Sequence, residues 1–266
     1  MNKKTVLITG AGTGLGKKAS IELAKRGHKV IATTHYEEEA TIMNEIALKE
    51  NIDIIAFKLD ILEENDRLKI LKYDIDVFIA NAAIGDSGSV SEVFVSRIEE
   101  VFNTNVFANM KLAQIVLAQM IKSNKKGRII FLSSLAGRIP MPFLAPYCAS
   151  KAAIESLATC LRNEMKLLKD VNIEIAVIEP GAYATGFNKE NNEKKYNWME
   201  KESYFIKIVD KIKYYEEKLW NFIEVKPYTS IIKRYIKVVE TKKLKHRYSA
   251  PIVQTFFVQL GRIIGM

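Results

Sequence analysis

Short apolar runs rich in Val and Ile recur through the first two thirds of the chain, with helically spaced segments between them. The spacing predicts strands at Thr5 to Thr9, Lys29 to Thr34, Ile52 to Leu59, Ile75 to Ala80, Arg128 to Ser133 and Ile173 to Glu179. Their near-continuous hydrophobicity is that of strands covered on both faces. Helical faces are read at Leu15, Ala19 and Leu23, at Ile42 and Ile46, at Val101, Asn105, Ala108, Leu112 and Ile115, and from Ala149 to Leu168. Strand and helix in alternation predict an α/β fold, a doubly wound, mostly parallel sheet with right-handed crossovers and helices on both faces. The stretch from Ile61 to Tyr73 leaves room only for an abbreviated helix. After Gly186 the pattern turns polar and aromatic together, through Phe187, Tyr196, Trp198, Tyr204, Phe205, Tyr214, Tyr215, Trp220 and Phe222. One or two helices over an edge of the sheet are expected there, as an excursion from a single domain of 266 residues.

Composition adds exclusions. With 48% hydrophobic and 27% charged residues the chain is neither disordered nor low in complexity. Two cysteines, Cys148 and Cys160, do not make a disulfide scaffold or a zinc site, and the three histidines lack ligand spacing, so no metal is expected. No apolar run reaches the roughly 18 to 20 residues of a membrane-spanning helix, and the N-terminal run reads as a strand rather than a leader, so a cytoplasmic protein is expected. The net charge of +9 is unevenly placed: Tyr228 to Arg247 carries seven Lys or Arg against Glu240 alone, and the rest is nearly balanced. That distribution argues against a nucleic-acid partner and suits a solvated basic helix.

Chemistry concentrates first at Thr9-Gly10-Ala11-Gly12-Thr13-Gly14-Leu15-Gly16, between a strand and a helix. Glycines there allow a sharp turn and a close backbone approach to a pyrophosphate, and the helix that follows offers free N–H groups to the anion. Further on, Tyr147-Cys148-Ala149-Ser150-Lys151 follows a strand ending in Ser133 and Ser134, and Pro180-Gly181 follows the sixth strand. Tyr-x-x-x-Lys alone has little specificity, since Tyr214 and Lys218 match it too. Its place, with Tyr147 thirteen residues beyond Ser134, gives it weight. With these motifs the chain, over residues 3 to about 190, resembles the short-chain dehydrogenase/reductase family.

The resemblance implies a Rossmann-like fold and an NAD(P)(H)-dependent oxidoreductase moving hydride between a nicotinamide and a carbonyl or secondary alcohol. It implies Asn105, Ser134, Tyr147 and Lys151 as the catalytic set. Cofactor contacts are implied at Gly10, Gly12, Thr13, Gly14, Leu15, Gly16, Thr34, His35, Asp60, Ile61, Asn81, Ala82, Ala83, Tyr147, Lys151, Pro180, Gly181 and Thr185. Residues 1–185 would then form the dinucleotide-binding core, 186–227 a substrate-side helical segment, and 228–266 a basic helix and apolar tail. The family's Asn-Asn-Ala-Gly is replaced by Ala80-Asn81-Ala82-Ala83, which adds a methyl group near the ribose and removes one polar support of the sheet. A homodimer or homotetramer is implied as well.

The chemistry is that of a phenol whose ordinary pKa near 10 is too high for a base at neutral pH. Lys151, one turn on, is expected to set an ammonium beside it and favour phenolate, with Ser134 holding the substrate oxygen and Asn105 supporting a water-linked path to Lys151. No acid ends the second strand. Thr34, His35 and, from the next loop, Lys17 would meet a 2'-phosphate, so NADP(H) is preferred and NAD(H) possible, with Glu37, Glu38 and Glu39 close behind. Arg138, Pro140, Met141, Phe143 and Leu144 with the aromatic segment predict a bulky, hydrophobic substrate. The apolar run from Ile252 to Met266 is expected to pack on the body or a partner subunit, a surface-lying membrane helix being the alternative. A non-catalytic dinucleotide-binding sensor or scaffold stays open as the other reading of the same motifs.

Overall fold

The computed structural model describes residues 2–265. Seven strands, β1 (Thr5–Ile8), β2 (Lys29–Thr34), β3 (Ile54–Lys58), β4 (Val77–Ala80), β5 (Gly127–Leu132), β6 (Ile173–Pro180) and β7 (Arg247–Ala250), form one parallel sheet in the order β3-β2-β1-β4-β5-β6-β7. Successive side chains of a strand point to opposite faces, and the sheet accordingly builds two cores. Val6, Ile8, Val30, Ile79 and Ile178 meet α1 (Gly14–Lys25), α2 (Glu37–Glu50) and α10 (Thr229–Glu240). On the other face Leu7, Ile31, Phe78, Phe131 and Val177 meet α5 (Asn109–Lys122) and α6 (Ala145–Met165). From β1 the chain winds outward to β2 and β3, then returns to the far side of β1 as β4. This reversal leaves a crevice at the carboxyl ends of β1 and β4, the place where open α/β sheets bind ligands.

The short crossover predicted after Ile61 is α3 (Glu64–Leu68) with a 3-10 turn at Lys69–Lys72. The helix predicted through Asn105 is broken in character: α4 (Val95–Phe102) and α5 are joined by a π-helical stretch, Asn103–Ala108. The excursion after Gly186 contains three helices rather than one or two, α7 (Phe187–Glu193), α8 (Tyr196–Glu202) and α9 (Val209–Ile223).

The C-terminal part needs correcting most. The basic run is helical only to Glu240, and residues Arg247–Ala250 add a seventh strand to the sheet edge, Val177 pairing with Arg247 and Pro180 with Ala250. Its alternation of Arg247 and Ser249 with Tyr248 and Ala250 is a strand pattern too short to separate from its basic flank. Arg247 and Ser249 both bond the carboxylate of Glu179, which is fully buried and held above the usual carboxylate range by desolvation. Helix α11 (Ile252–Ile263) packs on the body through its polar side, leaving most of the apolar tail uncovered within the chain.

From α10, the buried Tyr235 donates its phenolic hydrogen to Asn81 Oδ1 at 2.7 Å. Removing that hydroxyl leaves a buried acceptor unpaired, so Tyr235→Phe is expected to cost about 1–3 kcal/mol in urea unfolding; an unchanged midpoint and slope would show that Asn81 finds another donor.

Candidate active site

The turn after β1 is built by close approach. Gly10 has φ +62° and its backbone lies so near β4 that a Cβ would stand 2.8 Å from Ala82 Cα. Thr9 Oγ1 accepts from the amides of Asn81 (3.0 Å) and Ala82 (3.1 Å), and Asn81 Nδ2 donates to the carbonyls of Thr9 (2.8 Å) and Gly10 (3.1 Å). Gly14, with φ +53°, opens α1 opposite Thr185, whose Cβ would be 3.8 Å from an added methyl. Thr13, in the cap position, makes no side-chain cap bond, and the first turn of α1, with Leu15 and Gly16, carries no acid. The free N–H groups and positive end of this helix face the crevice, a fit for a pyrophosphate.

Across the crevice stands the acid–base group. Ser134 leaves β5 in extended conformation, its Oγ accepting from Ala136 N at 3.1 Å and donating to Pro180 O at 3.3 Å. Tyr147 and Lys151 lie one turn apart on α6, the ammonium nitrogen 5.6 Å from the phenol ring centre. Burial pushes the Tyr147 phenol up to about 12, against a hydrogen bond with Ser134 that pulls it down. Lys151, desolvated, is lowered to about 7 and donates to Leu132 O at 2.9 Å. The structure therefore brings Ser134, Tyr147 and Lys151 together, with burial raising the phenol and lowering the amine. Desolvation outweighs the Ser134 hydrogen bond, and it moves the phenol and the amine each toward the neutral form.

Asn105 makes no direct hydrogen bond to Lys151, which donates to Leu132 O. In the π-helical stretch, Asn105 Oδ1 accepts from Ile84 N (2.8 Å) and its Nδ2 donates to Ile84 O (2.9 Å) and Ser150 Oγ (3.0 Å). Ser150 Oγ in turn donates to Tyr147 O at 2.8 Å, so Asn105 clamps the loop after β4 to the helix that carries the phenol.

At the other end of the crevice, the Thr34 hydroxyl is turned back to Tyr36 O (2.8 Å) and buried, so of the two side chains expected to meet a phosphate only His35 reaches solvent. His35 Nδ1 lies 4.0 Å from the Asp60 carboxylate, which also accepts from Leu62 N at 2.9 Å. Ile61 is buried behind it. Lys17 sits on α1 rather than on a loop, and the Glu39 carboxylate lies against Gly12, leaving no room there for a Cβ. Ala83 is partly exposed at the crevice, and the amide of Gly181 is spent on Ala250 O at 2.7 Å.

Next to the crevice an apolar groove of about 430 Å³ runs between Met141, Phe143 and Leu144 and the Ile212, Leu219 and Trp220 face of α9. The Tyr147 ring packs 5.6 Å from that of Phe187, and neither ring lines the groove. Arg138, expected on this side, points instead to Glu179 and Gln259. Three functional neighbours escape a reading by motif: Ser150, Tyr235 and Gln254, whose Oε1 accepts from Ala182 N (2.8 Å) and whose Nε2 donates to Ile223 O (2.7 Å). Ser150 had a visible signal, lying inside the Tyr-x-x-x-Lys span. Tyr214 and Lys218, the second match to that spacing, pair on exposed α9.

Residues 4–196 match the family model described as short chain dehydrogenase. An uncharacterized oxidoreductase, YusZ, of Bacillus subtilis is 35% identical over 192 residues, covering 70% of this chain and 67% of that protein. A probable short-chain type dehydrogenase/reductase, VdlC, of Helicobacter pylori is 35% identical over 193 residues, covering 71% and 69%. A crystal structure of a short chain dehydrogenase/reductase from Burkholderia phymatum in complex with NAD shares the fold, with TM-score 0.81, 17% identity and coverage of 98% and 94%. The chain belongs to the short-chain dehydrogenase family and is an NAD(P)-dependent oxidoreductase.

Proposed function

We propose that the protein reduces a hydrophobic carbonyl compound to its alcohol, with Tyr147 as general acid. The convergence of Ser134, Tyr147 and Lys151 opposite the open end of α1 carries this reading. The dinucleotide, held by the turn from Gly10 to Gly16, by Asn81, Ala82 and Ala83 and by Pro180, Gly181 and Thr185, supplies the hydride. Ser134 Oγ holds the substrate oxygen and the protonated phenol delivers a proton to it. Lys151 stabilises the phenolate left behind, while Asn105 keeps the loop and helix in register. The groove beside Phe143 and Trp220 takes the apolar part of the substrate. The exposed His35, with no acid ending β2, favours NADP(H), with NAD(H) accepted, and Asp60 and Ile61 border the adenine. A cytoplasmic homodimer or homotetramer completes the reading.

Tyr147→Phe is expected to lower carbonyl reduction by about 10²- to 10⁴-fold while dinucleotide binding, followed by nicotinamide fluorescence, persists; full activity in the variant would assign the protonation elsewhere. The ammonium form of Lys151 is the one that stabilises phenolate, and burial holds it at about 7. The kcat/KM for reduction should therefore fall as pH rises through that value, with Tyr147 still protonated; Lys151→Arg should flatten this limb at a lower rate. A wild-type profile level through neutrality removes Lys151 from the role. At the adenosine end, Glu39→Gln removes a negative charge beside Gly12 and should raise kcat/KM with NADPH by about tenfold relative to NADH; an unchanged ratio would separate Glu39 from the 2' position.

A further inference from the structure

Helix α11 is mounted inside out. Its polar side faces the protein: Gln254 bonds Ala182 N and Ile223 O, Gln259 accepts from Arg138, and Arg262 shares a cavity with Arg138 and Arg247. Its outer side is Ile252, Val253, Phe256, Phe257, Leu260 and Ile263, with Ile252 and Ile263 each 72% exposed and Phe256 64%. A helix on a protein surface in water has the opposite arrangement, and a contiguous apolar patch of this kind marks an interaction site. The helix cannot roll to hide it, because the hydrogen bonds of Gln254 and Gln259 hold the other side.

The charge around this face selects its partner. From Thr241 to the end of the chain there is no Asp or Glu; Lys242, Lys243 and Lys245 are exposed and cationic, as is Arg262, while Arg247 is paired with Glu155 and Glu179. Arg247 and Arg262 line one cavity, so the basic segment and the helix adjoin. A second copy docked about a two-fold axis would set this acid-free segment against itself. A lipid surface with anionic headgroups complements both its apolar and its cationic parts. Twelve residues at 1.5 Å rise make about 18 Å, too short to cross a bilayer and suited to lying in its interface.

We propose that α11 docks the protein on an anionic lipid bilayer, apolar face down. The inference stands independently of the catalytic reading.

The test is flotation of the full-length protein with vesicles of phosphatidylcholine alone and with about 30% phosphatidylserine, at low and at about 0.5 M salt. Expected is binding to the anionic vesicles that salt weakens, weak binding to the neutral ones, and a fall of about tenfold or more in the F256Q/F257Q variant. These side chains are exposed, so the variant's helical circular dichroism and thermal midpoint should match wild type. Should it fail to fold, K242E/K243E/K245E, altered outside α11, serves in its place with the same expected loss. Absence of wild-type binding, or equal binding by both variants and wild type, overturns the proposal. A scattering mass of two chains that F256Q/F257Q reduces to one, without vesicle binding, overturns it in favour of a second copy.

Discussion

The amide of Asn81 holds the two halves of the fold at their point of divergence. β1 and β4 are neighbours, yet the chain leaves them in opposite directions, and the backbone carbonyls of Thr9 and Gly10 would otherwise end in an open crevice without partners. Asn81 Nδ2 takes both, while the Thr9 hydroxyl takes two amides in return. The phosphate-facing turn thereby acquires a fixed position against β4, and through the loop after β4 against Asn105, Ser150 and the helix of Tyr147. Every other element of the site is registered to this seam, and Tyr235 orients the amide that makes it.

Desolvation governs the chemistry built on that seam. In water a lysine one turn from a tyrosine would ease the loss of its proton; in the interior the cost of charge is felt by both, and each moves toward its neutral form. Lys151 also spends a donor on Leu132 O. What results is a phenol and an amine both biased toward their neutral forms, with Ser134 as the hydrogen-bonding neighbour that lowers the phenol.

Legibility in the sequence followed the length and burial of each element. Six strands could be read because fully covered strands are apolar throughout, and the ends predicted for β2 coincide with those observed. β7 was hidden because an edge strand of four residues, half polar and entered from a basic run, carries too little periodicity. The three helices after Gly186 merge in sequence because short amphipathic segments lack caps: α7 and α8 make no side-chain cap bonds. At the site, Ser134, Tyr147 and Lys151 were legible because one strand end and one helical turn fix their spacing. Asn105 was legible as a residue but not in its contacts, which depend on the wider π-helical turn. Tyr235 and Gln254 reach the site from far along the chain, and no local pattern announces a long-range hydrogen bond.

Gln254 ties three things with one side chain: the first turn of α11, the end of α9 and the backbone just past Gly181. Helix α11 is thus a strut rather than an appendage. Force applied to the outside of that strut is delivered to the loop on which Thr185 faces Gly14, so the tail and the hydride-transfer chamber share one mechanical frame. A change at Gln254 is therefore a change to the loop past Gly181 and to the end of α9 as well as to its own helix.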